Sequence, residues 1–164
     1  MTETTDRRLT SAEYLQRPDW AEYELIDGVL EPRHTGAMCG QVSVALGMFL
    51  GLWCRPKRLA HVFGFKCPYR CFPGRPDTVR HPSISLVRYG RLPGEVVPKY
   101  EITIPPDLVA EVLTPQDTYE SVEEKVRDYL SAGVKLIWIV SPEAKTVLIR
   151  RLDAPVPNWT RPAR

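Results

Sequence analysis

The sequence predicts a mixed α/β domain, and three stretches predict it. Pro105 to Val140 reads PPDLVAEVLTPQDTYESVEEKVRDYLSAGVKLIWIV. It passes from an apolar run through a polar connection and an amphipathic helix to a second apolar run, the pattern of parallel strands joined by a crossover helix. Tyr23 to Ile26 and Val29 to Glu31 flank Asp27-Gly28, a pair that suits the tight primed turn of a hairpin. Val134 to Val140 and Thr146 to Leu152 flank a turn at Ser141 to Lys145 and read as a second hairpin. A length of 164 residues, 43% of them apolar and 26% charged, makes one ordinary domain with a real core rather than a disordered chain. The domain is expected over residues 1–152, followed by a loosely ordered, proline-rich tail at 153–164.

Taken in order, Thr10 to Leu15 resembles a short capped helix stopped by Pro18. The first hairpin follows. From about Ala37 to Cys54 the chain is helical: Val42, Leu46, Phe49, Leu50 and Trp53 recur at helical spacing and form the expected packed stripe, until Pro56 ends it. Leu59 to Phe63 and the stretch around Tyr69 read as short strands, and Thr78 to Val87 as a longer one that Pro82 confines to an edge or a bulge. Residues 88–104 form a polar excursion. In the crossover helix, Ser121 with Glu124 fits a capping box, Val122, Val126, Tyr129 and Leu130 form the packed stripe, and Gly133 fits the position just past the end.

Three charged residues within these elements need an explanation. Glu111 sits among Leu108, Val109, Ala110, Val112 and Leu113, a run that reads as a strand covered on both faces. A carboxylate there is costly to bury unless it is paired or holds a metal. Lys125 borders the buried stripe of the crossover helix and is placed to reach toward the end of the Glu111 strand. Glu24 alternates with Tyr23 and Leu25, so it points either to solvent or into a site. The plainer alternative is that Glu111 caps a helix or pairs with an arginine while Lys125 is a solvated flank.

Composition narrows the function further. No run of eighteen apolar residues is present and the polar N-terminus has no apolar signal core, so a cytoplasmic protein with no membrane span is expected. The four cysteines, Cys39, Cys54, Cys67 and Cys71, are expected to be reduced. Cys67 and Cys71 have no matching second pair, so even with His34 and His61 a zinc site is not expected. The net charge of +2 conceals an asymmetry: residues 55–91 hold nine Lys and Arg against one acid, Asp77, while the segments on either side are net acidic. Such a basic segment suits a polyanion, or else a solubilising face.

The order YELIDG, long helix, PDTVRHPSISLV, PDLVAEVLTP, EEKVRDYLSAGVKLIWIV resembles the Uma2 family of restriction-endonuclease-like proteins, with the PD-(D/E)XK nuclease fold. The resemblance runs from about Thr10 to Arg151. It implies a restriction-endonuclease-like mixed sheet flanked by helices, with a metal site at the sheet's edge. It also implies Mg²⁺- or Mn²⁺-dependent hydrolysis of nucleic-acid phosphodiester bonds, in DNA above all. By the same resemblance the family's site residues fall on Glu111, Lys125 and Glu24. Glu111 would bind a metal that activates water, and Lys125 would orient that water or neutralise developing charge.

The chain departs from the family pattern where the metal would sit. The aspartate of the PD motif is replaced by Ser83, a neutral and poor Mg²⁺ ligand. Asp77, about 20 Å away along an extended strand, does not substitute for it, whereas His81, about 7 Å away, would suit only a softer metal. Cys39 stands where the family often has a histidine, and the segment after Arg151 is shorter than usual. Two readings follow. One is an endonuclease impaired at Ser83. The other is a catalytically inactive nuclease fold that binds nucleic acid or a protein partner. A homodimer through the apolar edge hairpin at 134–152 is a further expectation.

Overall fold

The structure, a computed structural model, describes residues 8–153. Residues 1–7 and 154–164, most of the tail singled out above, lie outside the described residues. Helix α1 (Ser11–Leu15) starts at Thr10, whose hydroxyl accepts from the Glu13 backbone N–H while Glu13 reaches back, a complete capping box. Strands β1 (Tyr23–Ile26) and β2 (Val29–Pro32) form an antiparallel hairpin. Its turn places Asp27 at φ 48° and Gly28 at φ 84°, the two left-handed residues that a type I′ turn demands. This hairpin is a separate two-stranded sheet.

The main sheet has five strands in the order β3-β4-β5-β6-β7: β3 (Ala60–Gly64), β4 (Ile84–Arg88), β5 (Leu108–Val112), β6 (Leu136–Ser141) and β7 (Thr146–Arg151). Only β5 and β6 are parallel, with Glu111 opposite Ile139, and the other pairs are antiparallel. The crossover between β5 and β6 is helix α3 (Tyr119–Ser131). It covers one face, where Val126, Tyr129, Val134, Ile137 and Ile139 close on Val109 and Phe72. Helix α2 (Ala37–Cys54) covers part of the opposite face, packing Leu46, Leu50 and Cys54 against Ile84, Leu86 and Ala110. A Cβ on Gly47 would stand 3.1 Å from Ile84 Cδ1, so glycine there lets the helix lie close on β4. The mixed sheet and its flanking helices are as the sequence predicted.

Several local expectations are corrected. Thr118 caps α3 and makes a reciprocal box with Ser121, so the helix starts one turn earlier than a Ser121 cap implies. Gly133 does follow the helix end, at φ 89°. The strand expected over residues 78–87 is regular only in β4, because Pro82 cannot donate to a ladder. Upstream, Val79 bridges Leu25 of β1, and the expected Tyr69 strand is reduced to single bridges from Tyr69 to Arg80 and to Ile102. The excursion at 88–104 is anchored by fully buried Leu92 and Ile102. Phe49 and Trp53 of α2, expected to pack, face outward instead. The sheet takes the side of α2 running through Ser43, Leu46, Gly47, Leu50 and Cys54. By length and composition alone α2 is apolar enough to cross a membrane, but one side of it is packed on the sheet.

Candidate functional site

Three of the four candidate residues converge through their neighbours on one cavity of about 480 Å³ between α2, α3 and the ends of β4 and β5, and Glu24 lies against it. Ser83, Glu111 and Lys125 line it together with Arg33, His81 and Cys39. Glu24 is buried on β1, held there by the hairpin's register and by the Leu25–Val79 bridge. Its Oε2 accepts from Arg80 Nη1 at 2.8 Å and its Oε1 from the His81 backbone N–H at 2.8 Å. Lys125 Nζ stands 3.8 Å from Oε2. Burial pushes the Glu24 pKa up, but the charges of Lys125 and Arg80 outweigh it and hold the carboxyl down at about 2.

Glu111 has a different set of partners. Tyr129 Oη donates to its Oε1 at 2.6 Å and Ser83 Oγ faces its Oε2 at 3.4 Å. The Ser83 hydroxyl also accepts the Val112 backbone N–H at 3.0 Å. Among the described residues no arginine hydrogen-bonds Glu111, and Arg33 acts on it only through its charge. Burial raises its pKa, Lys125 counteracts this, and nearby Glu24 adds to the rise. Lys125 is half-buried, and Glu24 raises its pKa against the cost of desolvation, so it is a cation.

Sequence reasoning missed the residues that fix this arrangement. Arg80, counted there only as part of a basic segment, is fully buried. Besides Glu24 it donates Nε and Nη2 to Asp128 Oδ2 at 2.9 and 2.6 Å, and Nη2 to Glu124 Oε1 at 3.2 Å. Asp128 in turn meets Arg75, whose guanidinium grips both oxygens of Asp27 at 2.8 and 3.0 Å. A chain Glu24–Arg80–Asp128–Arg75–Asp27 therefore ties the hairpin to α3. A signal was present: Asp128 is a charge beside the apolar stripe of α3, and Arg80 sits in a run expected to be strand. Tyr129, read as packing, contributes its hydroxyl as well.

The basic segment is largely neutralised by folding. Arg70 pairs with Glu101, Arg75 with Asp27 and Asp128, Arg80 with Glu24, and Arg88 and Arg91 with Asp107, all acids outside the segment. Arg55, Lys57, Arg58 and Lys66 stay exposed with no ion pair among the described residues. The other metal candidates are engaged with different partners. Asp77 Oδ1 accepts the Ser11 backbone N–H at 2.8 Å. His81 is buried against Trp20, with Nε2 2.8 Å from Tyr14 Oη, and burial drives its pKa down to about 3. His61 bonds Glu95 at 2.9 Å, away from Cys67 and Cys71, which pack in the cluster around Tyr69.

The donor set does not fit a divalent ion. Among the described residues, no group of three or more His, Cys, Asp and Glu is disposed to hold a metal. Three carboxylates are near: Glu24 accepts from Arg80 and a backbone N–H, Asp117 in the cavity lining accepts from the Thr114 N–H and hydroxyl, and Glu111 alone has no charged or backbone donor. Mg²⁺ takes carboxylate oxygens, and these three are bound to separate partners rather than gathered on one point.

A mixed sheet with a crossover helix, and a cavity at the β4 and β5 ends, define a protein of nuclease-like α+β fold. The Uma2 family profile, described as "Putative restriction endonuclease", matches residues 11–162, and the chain belongs to this family. In fold it is similar to a solved structure from Anabaena variabilis ATCC 29413, titled as a putative nuclease belonging to DUF820. The TM-score is 0.76 at 21% identity, over 90% of this chain and 82% of that one. No curated protein matches the chain.

Proposed function

We propose that this chain binds DNA at the Glu111–Lys125 cavity and cleaves it poorly or not at all, as a nuclease-fold protein whose metal-binding step is impaired. One observation carries the reading: Ser83 stands where the family pattern has aspartate, and its hydroxyl accepts the Val112 N–H at 3.0 Å while facing Glu111. A hydroxyl so engaged gives no charge and keeps only one unused lone pair.

Affinity for a phosphate backbone has three supports. Arg33 and Lys125 line the cavity, and Lys66 follows the lining residue Phe65. The N-terminus of α2 opens on it at Gly36, Cys39 and Gly40, and its N-cap Gly36 makes no side-chain capping bond. The first-turn N–H groups are thus oriented toward an anion. Lys125, already cationic beside Glu24, is the side chain assigned to the phosphate; Glu24 and Arg80 orient it. The cytoplasm is the compartment this reading assumes.

Calorimetry with Mg²⁺ and Mn²⁺ on wild type, Ser83→Asp and Glu111→Ala tests the proposal, alongside fluorescence anisotropy with a DNA duplex. Wild type is expected to bind DNA but no metal. Ser83→Asp is expected to gain metal binding and, with it, cleavage. Metal binding by wild type that disappears in Glu111→Ala would overturn the impairment, and absence of DNA binding would overturn the substrate.

A further inference from the structure

Helix α2 contains no Asp, Glu, Lys or Arg in its 18 residues. Only one side of it is used by the core. On the other, Met38, Val44, Met48, Phe49, Leu52 and Trp53 are between 53% and 72% exposed. The sheet beneath is covered only in part as well. α2 packs over β3, β4 and β5, and Trp138 of β6 is the outermost strand residue in that packing. The β6–β7 register sets Ile149 opposite Trp138 and Val147 opposite Val140, so these side chains share the α2 face. Both Val147 and Ile149 are exposed. One face of the sheet thus has room for two helices, and the described chain supplies one.

We propose that this face joins two copies of the chain in a two-fold dimer, with the two α2 helices antiparallel and each lying toward its partner's β6–β7 half-sheet. The exposed side chains of α2 and β7 offer roughly 600–800 Å² per copy. Monomers rarely expose a continuous apolar patch of that size, and a standard interface takes about 800 Å² from each partner. Apart from the Lys57 ammonium, which lies over the Trp53 ring, the face carries no charge, so it needs no partner of opposite charge and is complementary to itself, as a two-fold contact requires. Gly51 has nothing within 4 Å of an added Cβ, which leaves room for close helix approach. Charge sets the direction. Arg55, Lys57 and Arg58 follow the C-terminal end of α2 and form no ion pair among the described residues. Parallel packing would stack both clusters, whereas antiparallel packing keeps them about 27 Å apart, the length of the helix. A bilayer is a poorer occupant, because the inner side of α2 belongs to the protein core.

Sedimentation velocity on the full chain, from micromolar concentrations upward, tests the dimer. Wild type is expected to dimerise, and the pair Phe49→Glu with Leu52→Glu to weaken dimerisation by at least about 100-fold. Both side chains are exposed, so circular dichroism and melting should match wild type; if that pair fails to fold, Met48→Lys is the substitute. Leu148→Glu, on the other face of β7, should leave the dimer intact. A wild type that stays monomeric at every concentration overturns the proposal. So does a dimer that survives the α2 substitutions but is lost with Leu148→Glu, which would put the contact at the β7 edge. Wild-type binding to phosphatidylcholine vesicles without self-association would assign the face to a lipid surface and equally overturn it.

Discussion

Glu24 and Glu111 are both buried carboxylates close to Lys125, yet their proton affinities move in opposite directions. Glu24 has a guanidinium and a backbone N–H on its two oxygens. Glu111 has only hydroxyls. The difference shows that burial alone does not set ionisation here; the charge of the immediate partner does. It also separates two roles. Glu24 is locked into structure, whereas Glu111 is left under-compensated, with a demand for positive charge that Lys125, and to a smaller extent Arg33, meets in part.

The strongest way to break this contrast is to remove the guanidinium. Arg80→Met leaves Glu24 and Asp128 buried without their common partner and is expected to cost about 3–5 kcal/mol in urea unfolding. A loss near zero would mean that Lys125 and Arg75 suffice. Acid titration comes next. Glu24 has a folded pKa of about 2, below its unfolded value, so its stabilisation is complete above pH 4.5 and is lost as the pH falls toward 2. His81 has a folded pKa of about 3 and an ordinary value of 6.5, so it is buried neutral. The unfolded chain therefore takes up the proton first, and stability falls as the pH drops from 6.5 toward 3, by on the order of 5 kcal/mol. Urea midpoints for wild type and His81→Asn across that window should show a flatter acid limb in the variant. The smallest effect has the opposite sign. Glu111 binds its proton more tightly when folded, so wild type loses stability as the pH rises through that raised pKa. Glu111→Gln should therefore melt above wild type at pH 8, with the gap closing in acid. A lower melting temperature at pH 8 would mean that attraction to Lys125 outweighs burial.

Much of this was legible before any coordinates. The Asp27-Gly28 turn, α2, the β5–α3–β6 crossover and the β6–β7 hairpin follow from local chemistry and periodicity, which the fold left unchanged. Glu111 and Lys125 stood out because an apolar strand and a helix flank do not place such charges without reason. Arg80 and Asp128 did not, because each is ordinary in its own segment and only the packing of α3 on the first hairpin makes them partners. The same holds for the basic segment: charge counted along a chain says nothing of the acids that folding brings to it. For α2, periodicity fitted more than one stripe on a helix apolar all round, and the position of the sheet decided which side was buried.

The Glu24–Arg80–Asp128–Arg75–Asp27 chain has a kinetic consequence. Its bonds join residues 48 to 56 positions apart, drawn from three separate stretches of the sequence. Two of the bonds need only the hairpin and the segment before β4 to meet, and the two to Asp128 need helix α3 as well. Bonds of such long range carry a large loop-closure cost. Unfolding and refolding rates of Arg80→Met tell where that cost is met. A change confined to the unfolding rate would make the network a latch that lengthens the life of the finished cavity, and a slower folding rate would place it in the barrier itself.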